Sequence, residues 1–261
     1  MVSGSPVQRE GVTTTELLWQ TDSYARAFAA TVVDVSNGDV ALDRSAFYPG
    51  GGGQPPDLGR LVADSAFDVL ALRRDGDMLW HGLDGEPPSR GAAVIGEINW
   101  ERRYALMRTH TAMHILCGVI WRDYGAKVTG GNMQPLSGRM DFEFEHMRGE
   151  LVREIEEKVN VEVEAARPIS VYFLDRAEAE RHPDLIRTKV NLLPEGITQV
   201  RIVDIDGLDV QADGGTHVAR TDEVGPFRIS GYKSKGRANK RIEIALRENL
   251  LDEPTRPDPP R

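Results

Sequence analysis

The chain has 261 residues, with 32 Lys and Arg against 41 Asp and Glu, a formal net charge of −9 and a single cysteine. One cysteine excludes an internal disulfide framework and a multi-cysteine zinc finger, and no apolar run approaches the roughly 20 residues of a membrane-spanning helix. The acidic total argues against a protein that coats nucleic acid by bulk charge. At 40% hydrophobic and 28% charged residues the chain can bury a core, and at roughly 150 residues per domain its length predicts two domains.

Met1 to Glu10 lacks the charged start and apolar stretch of a secretory signal, so a cytoplasmic, reducing address is expected. From about Thr13 to Gly96 the apolar runs are short and broken by Gly, Pro, Asp and Asn. Phe28–Val35 reads as a strand, Asn37-Gly38 as a hairpin turn and Val40–Leu42 as the returning strand. Gly59–Val62, Phe67–Leu72 and Met78–Trp80 continue the series, with a turn at Arg74-Asp75-Gly76-Asp77. Strands at this spacing predict a small β-barrel.

The pattern changes near Trp100. Arg102 to Tyr124 carries Leu106, Met113, Leu116, Ile120 and Tyr124 at helical period. Arg139–Glu145 alternates as a half-buried strand. Glu150–Val163 places Leu151, Ile155, Val159 and Val163 on one helix face. Ile169–Leu174, Thr198–Ile205, Pro226–Ser230 and Arg241–Leu246 read as strands, and Asp252–Arg261, with four prolines, as a loose tail. The expected fold class is α+β. A barrel domain over 1–96 carries a glycine-rich motif, an α+β domain over 97–251 has a mixed or antiparallel sheet packed by helices, and 252–261 is a flexible tail.

Three of the six histidines stand out. On a helix, His110 and His114 lie about 40° apart and about 6 Å along the axis, so both imidazoles can reach one point. That geometry suits a divalent metal, and zinc best matches nitrogen donors. His217 ends the run Asp213-Gly214-Gly215-Thr216-His217, where two glycines let the backbone come close to a bound group. With Asp213 it completes a four-ligand set of mixed nitrogen and oxygen. Cys117 lies about 10 Å along the helix from His110, too far to share an ion, and reads as a buried structural thiol. Gly50–Gly53 is not a P-loop, because no Gly-Lys-Ser/Thr follows it. Tyr232–Arg241 is locally basic, with Lys233, Lys235, Arg237, Lys240 and Arg241 and no acid.

Four ordered motifs share one resemblance. Phe47–Gly59 (FYPGGGGQPPDLG), His110–His114 leading to Gly138–Phe144 (GRMDFEF), Arg201–Val218 (RIVDIDGLDVQADGGTHV) and Gly231–Leu246 (GYKSKGRANKRIEIAL) resemble the alanyl-tRNA editing proteins, or AlaX family. These are free-standing relatives of the editing domain of alanyl-tRNA synthetase. The barrel segment resembles the medium-length form, and the second domain then corresponds to the editing domain. The resemblance implies an aminoacyl-tRNA hydrolase that deacylates tRNA(Ala) mischarged with serine or glycine, using Zn2+. His110 and His114 match the family's first two zinc ligands and His217 the last. Where much of the family has a cysteine ligand, this chain has Asp213. That residue is either the fourth ligand or a carboxylate that orients a histidine and leaves a position open for water.

Zinc at this site would either lower the pKa of water or polarise the ester, or else mainly hold the amino acid. The Gly214 and Gly215 amides are candidates for the oxyanion. Thr129 falls near a family position that reads the serine hydroxyl, or else is a plain turn threonine. Gly51, Gly52, Gly53 and Gln54 would approach the bound acceptor end. Lys233, Lys235, Arg237, Lys240 and Arg241, with Arg102, Arg103 and Arg108, are candidate phosphate contacts to the tRNA acceptor stem. Two other readings fit the same residues: a non-catalytic tRNA-binding module braced by zinc, and a metallohydrolase of a small ester.

Overall fold

The short alternating runs become strands in the computed structural model, which describes residues 14–144, 147–182, 185, 197–234, 236 and 239–247. The tail expected at 252–261 lies outside the described residues. The chain divides into two units, Met1–Pro49 with Pro56–Trp100, and Gly50–Pro55 with Glu101–Arg261.

The first unit contains β1 (Glu16–Leu17), β2 (Ala27–Ser36), β3 (Asp39–Leu42), β4 (Arg44–Ser45), β5 (Gly59–Val62), β6 (Ala66–Asp75), β7 (Met78–Leu83) and β8 (Ala93–Ile98). The strands β2-β3-β7-β6-β5-β8 close into an antiparallel ring, and β1 and β4 form a short parallel pair. Alternation drives this. Phe28, Ala30 and Val32 of β2 point inward while their neighbours face solvent, and they meet Val40, Leu42, Phe47, Leu61, Val69, Val94 and Ile98 in one core. Asn37 and Gly38 both have positive φ, 53° and 88°, as a two-residue hairpin turn requires. β8 is absent from the sequence reading, yet it closes the ring by pairing with both β2 and β5. His81 is a satisfied core imidazole: Nδ1 meets the Val40 carbonyl at 3.2 Å and Nε2 meets Ser45 Oγ at 2.9 Å. Burial lowers its pKa to about 4.

The second unit contains α1 (Trp100–Tyr124), β9 (Val128–Gln134), β10 (Ser137–Phe142), α2 (Gly149–Glu164), β11 (Ile169–Asp175), α3 (Arg176–Ala179), β12 (Gln199–Ile205), β13 (Asp209–Ala212), β14 (Phe227–Ser234) and β15 (Lys240–Leu246). One antiparallel sheet runs β14-β15-β10-β9 and a second runs β11-β12-β13. The expected α+β class holds, with both sheets antiparallel. β9 and β13 are additions to the sequence reading. No described helix is long and apolar enough to cross a membrane.

Helix α1, expected from its helical period, is buried well beyond the apolar residues that mark that period. Every residue from Leu106 to Ile120 is buried, because the helix is covered on more than one side. Met113 packs on Gly131 of β9 and Gly138 of β10, and Gly118 packs on Leu208 and Asp209 at the start of β13. A helix buried all round must satisfy each of its polar groups internally. The Arg108 guanidinium, 2% exposed, therefore bonds the carbonyls of Val224 and Arg247, and Thr109 Oγ1 returns to the Ala105 carbonyl.

Helix α2 buries Val152, Ile155, Val159 and Val163, so Val152 takes the place expected for Leu151. Its polar side chains complete the edge strand β14. The Asn160 amide donates to the Phe227 carbonyl at 2.9 Å and accepts from the Phe227 N–H at 3.0 Å, while Glu156 accepts from Ile229 N–H at 2.6 Å. A side chain thus occupies backbone groups that an open sheet edge would leave unpaired. Asn160→Ala removes both bonds to Phe227. The expected cost is about 1–3 kcal/mol, seen as faster hydrogen exchange at Phe227 and Ile229 than in the unchanged protein.

Candidate metal centre

The two histidines of α1 meet the loop after β13. Ring centroids lie 5.1 Å apart for His110–His114, 4.3 Å for His110–His217 and 4.8 Å for His114–His217. Asp213 stands among them. Its Oδ1 is 3.0 Å from His217 Nε2, and its Oδ2 is 3.5 Å from His110 Nε2 and 3.9 Å from His114 Nε2. One potential ligand atom from each of the four residues lies within 4.8 Å of the others. The Asp213 side chain is 16% exposed, against 6, 9 and 2% for His110, His114 and His217. The cluster therefore faces solvent mainly on its carboxylate side.

All three imidazoles turn Nε2 inward because Nδ1 is held from behind. His110 Nδ1 faces Gln54 Oε1 at 3.0 Å, His114 Nδ1 faces Asp209 Oδ2 at 3.0 Å, and His217 Nδ1 faces Thr111 Oγ1 at 3.2 Å. Outer partners of this kind fix the tautomer and ring angle of metal-binding histidines. A tetrahedral ion with ligands at about 2.0–2.2 Å separates them by roughly 3.3–3.6 Å. The observed separations, from 3.0 Å to at most 4.8 Å, bracket that range, so the residues fit a four-coordinate divalent ion.

Without an ion, the cluster holds its charges unequally. Burial lowers His110 well below its ordinary value and brings His217 to about 4. Burial also acts to lower His114, but hydrogen bonds and charge from Asp209 and Asp213 outweigh it and raise this imidazole to about 9. Burial acts to raise Asp213, yet the charge of His110 and hydrogen bonds from His114 and His217 hold it well below the carboxylate range.

The turn that delivers Asp213 and His217 is tightly specified. Arg201 of β12 donates through Nη1 to the Asp213 carbonyl at 2.9 Å, and Asp213 N–H returns to the Arg201 carbonyl at 3.1 Å. The Gly215 N–H donates to Asp213 Oδ1 at 2.7 Å, so the amide expected to meet an oxyanion is already engaged. A Cβ at Gly215 would lie 2.4 Å from His110 Cε1 and 2.7 Å from Gln54 Oε1, so only glycine fits. Nothing lies within 4 Å of a Cβ at Gly214.

Other expected residues take varied places. The stretch Gly50–Gly53 has φ values of 87°, 133°, 57° and 91°, a run of positive φ that residues with side chains rarely adopt, and closes through paired bonds between Gly51 and Gln54. This turn docks on β9, where Met133 N–H donates to the Gly53 carbonyl at 3.1 Å. Thr129 lies on β9 rather than in a turn, and its hydroxyl donates to Asn239 Oδ1 at 3.0 Å. Cys117 is buried and accepts from Gln211 Nε2 at 3.3 Å, as a structural thiol should.

The basic residues are largely committed within the chain. Arg241 forms a two-pronged pair with Asp141, Lys240 is buried with Nζ on the Gly236 carbonyl, and Lys233 pairs with Glu243. Arg103 and Arg108 are buried, which corrects their reading as phosphate contacts. The Lys233 pair is exposed on both sides and contributes little to stability. Lys235 and Arg237 lie outside the described residues.

Sequence reasoning missed Asp209 and Thr111. Asp209, Gln211 and Asp213 are spaced at the strand period, which places them on one face. Recognising that face needed β13, and β13 is short. Thr111 sits one residue after His110 and reads as an ordinary helical threonine.

Residues 200–243 match the family described as the threonyl and alanyl tRNA synthetase second additional domain. The chain is 38% identical over 240 residues to the alanyl-tRNA editing protein AlaX-M of Methanosarcina barkeri, which covers 89% of this chain and 99% of that protein. The AlaX-M protein of Saccharolobus solfataricus gives the same identity and coverage. An alanine–tRNA ligase of Pyrobaculum arsenaticum is 40% identical over 225 residues, 83% of this chain and 25% of the ligase.

Two outcomes follow from this geometry. Gly215→Ala pushes His110 and Gln54 off the cluster, and metal content after equilibration with one equivalent of zinc should fall more than about tenfold. The second concerns the His114 proton. A pKa raised to about 9 from 6.5 means that this proton stabilises the metal-free fold below pH 6.5, and the contribution is lost as pH rises through 9. A bound ion must displace it, so calorimetry at pH 7 should show about one proton released per metal bound, and affinity that rises with pH up to about 9.

Proposed function

The chain belongs to the alanyl-tRNA editing protein family, and we propose that it is a zinc-dependent hydrolase that removes serine or glycine from mischarged tRNA(Ala). The observation that supports this most directly is the buried set of three inward Nε2 atoms and one carboxylate. His110, His114 and His217 would hold the ion, with Asp213 Oδ2 as fourth donor. Asp213 Oδ1 already accepts from Gly215 N–H and faces His217, which leaves Oδ2 turned toward the other two imidazoles. Zinc held there supplies a Lewis acid beside the aminoacyl ester.

The protein groups do the rest. Gln54, Asp209 and Thr111 keep the imidazole lone pairs aimed inward. Buried imidazole walls exclude bulk water from all but the Asp213 side, where the ester would enter. Water adds to the ester carbonyl carbon, the ribose oxygen leaves with a proton, and free amino acid and uncharged tRNA result. The Gly214 amide is the remaining backbone candidate for the developing oxyanion. The tRNA partner would be held at its acceptor stem and single-stranded end, with Lys233 among the phosphate contacts. A cytoplasmic address suits a protein that meets charged tRNA.

Such an enzyme answers a physical limit. A pocket shaped for alanine cannot strongly exclude smaller glycine, and an apolar wall rejects an added hydroxyl poorly. A second site that favours the serine hydroxyl restores accuracy. Purified protein incubated with Ser-tRNA(Ala) and Ala-tRNA(Ala) should release serine at least about 100-fold faster than alanine. Chelation should abolish the release, zinc should restore it, and His114→Ala should lack both metal and activity. Equal release of both amino acids, or release unaffected by chelation, would refute the reading.

A further inference from the structure

The glycine turn ends in a side chain whose partners leave little freedom. Gln54 is 2% exposed, and both heteroatoms of its amide are engaged. Nε2 donates to Thr216 Oγ1 at 2.9 Å, and Oε1 accepts from Thr216 N–H at 3.1 Å and meets His110 Nδ1 at 3.0 Å. A backbone N–H can only donate, so the atom facing it is the amide oxygen. That oxygen can only accept, so His110 carries its proton on Nδ1 and presents the Nε2 lone pair to the cluster. This one amide therefore sets the state of one histidine and ties down the residue next to another.

We propose that Gln54 is a positioning residue for the metal centre rather than a substrate contact, and that the glycine turn exists to carry it there. This rests on the metal reading above. Asp209 reaches His114 from the strand that leads into the loop, and Thr111 lies on α1 beside His110. Gln54 reaches His110 across 56 residues of sequence. The turn closes within Gly51–Gln54 and is pinned to β9 through the Gly53 carbonyl. At the far end, the bare Cα of Gly215 lets the His110 ring and the Gln54 oxygen close together over it. An amide also suits the site electrically, because Asp209 and Asp213 already place two carboxylates against the imidazoles.

Two variants test this through metal affinity. Gln54→Leu removes the acceptor, and zinc affinity measured by competition with a chromophoric chelator should weaken about 10–100-fold. Gln54→Glu keeps an acceptor for His110 Nδ1–H and Thr216 N–H, and the Thr216 hydroxyl can turn to donate. Its zinc affinity should stay within about threefold of the unchanged protein or tighten. The visible spectrum of the cobalt-loaded protein should change in Gln54→Leu and be retained in Gln54→Glu. Unchanged zinc affinity in Gln54→Leu, with a raised KM for Ser-tRNA(Ala), would make Gln54 a substrate contact and overturn the proposal. Should Gln54→Leu not fold, Gln54→Glu decides alone, and a loss beyond tenfold overturns it. Failure of the unchanged protein to bind zinc would instead defeat the metal reading itself.

Discussion

The constraint from which the second unit takes its form is a helix whose stretch from Leu106 to Ile120 is wholly buried, yet carries two histidines, two threonines and an arginine. Removing these groups from water without partners would cost several kcal/mol in total. The surrounding elements therefore supply partners one by one. The carbonyls of Val224, which ends the short helical turn Thr221–Val224, and of Arg247, just after β15, receive Arg108, while Asp209, Gln54 and the 213–217 loop receive the imidazoles. The candidate metal centre is where this accounting converges, because three imidazoles with engaged Nδ1 atoms turn their Nε2 atoms toward one carboxylate.

Two glycine-dependent close approaches make that convergence possible. At 50–53 the backbone takes a left-handed course that delivers Gln54, and at 215 the missing side chain lets His110 and Gln54 close over the loop. Neither stretch reads in isolation as more than a flexible turn. Their shared role rests on atoms more than 160 residues apart, as in the Gln54–Thr216 bonds with a sequence separation of 162. The glycine turn at 50–53 and the 213–217 loop thus meet in this chain through one buried amide.

Much of the fold was legible. Strands with clear alternation, such as β2, or with β-branched runs, such as β12, were visible because burial of one face leaves a period of two. Two of the missing strands, β9 and β13, share a physical reason. β9 contains two adjacent glycines, and β13 has four residues, so each is stabilised by its neighbours rather than by its own propensity. Local basicity misled in one respect. Arg241 and Lys233 look free in sequence, yet cross-strand and neighbouring acids at Asp141 and Glu243 answer them.

The sequence by itself determined the two-part α+β plan, the shared helix face of His110 and His114, and the family resemblance, because these depend on local period and ordered motifs. Only the tertiary structure decided that His217 and Asp213 join them, that Asp209, Thr111 and Gln54 stand behind the rings, and that Arg103 and Arg108 serve the interior. Such facts depend on which buried polar groups meet across long separations, and hydrogen-bond satisfaction in a packed core is a property of the whole fold rather than of any segment.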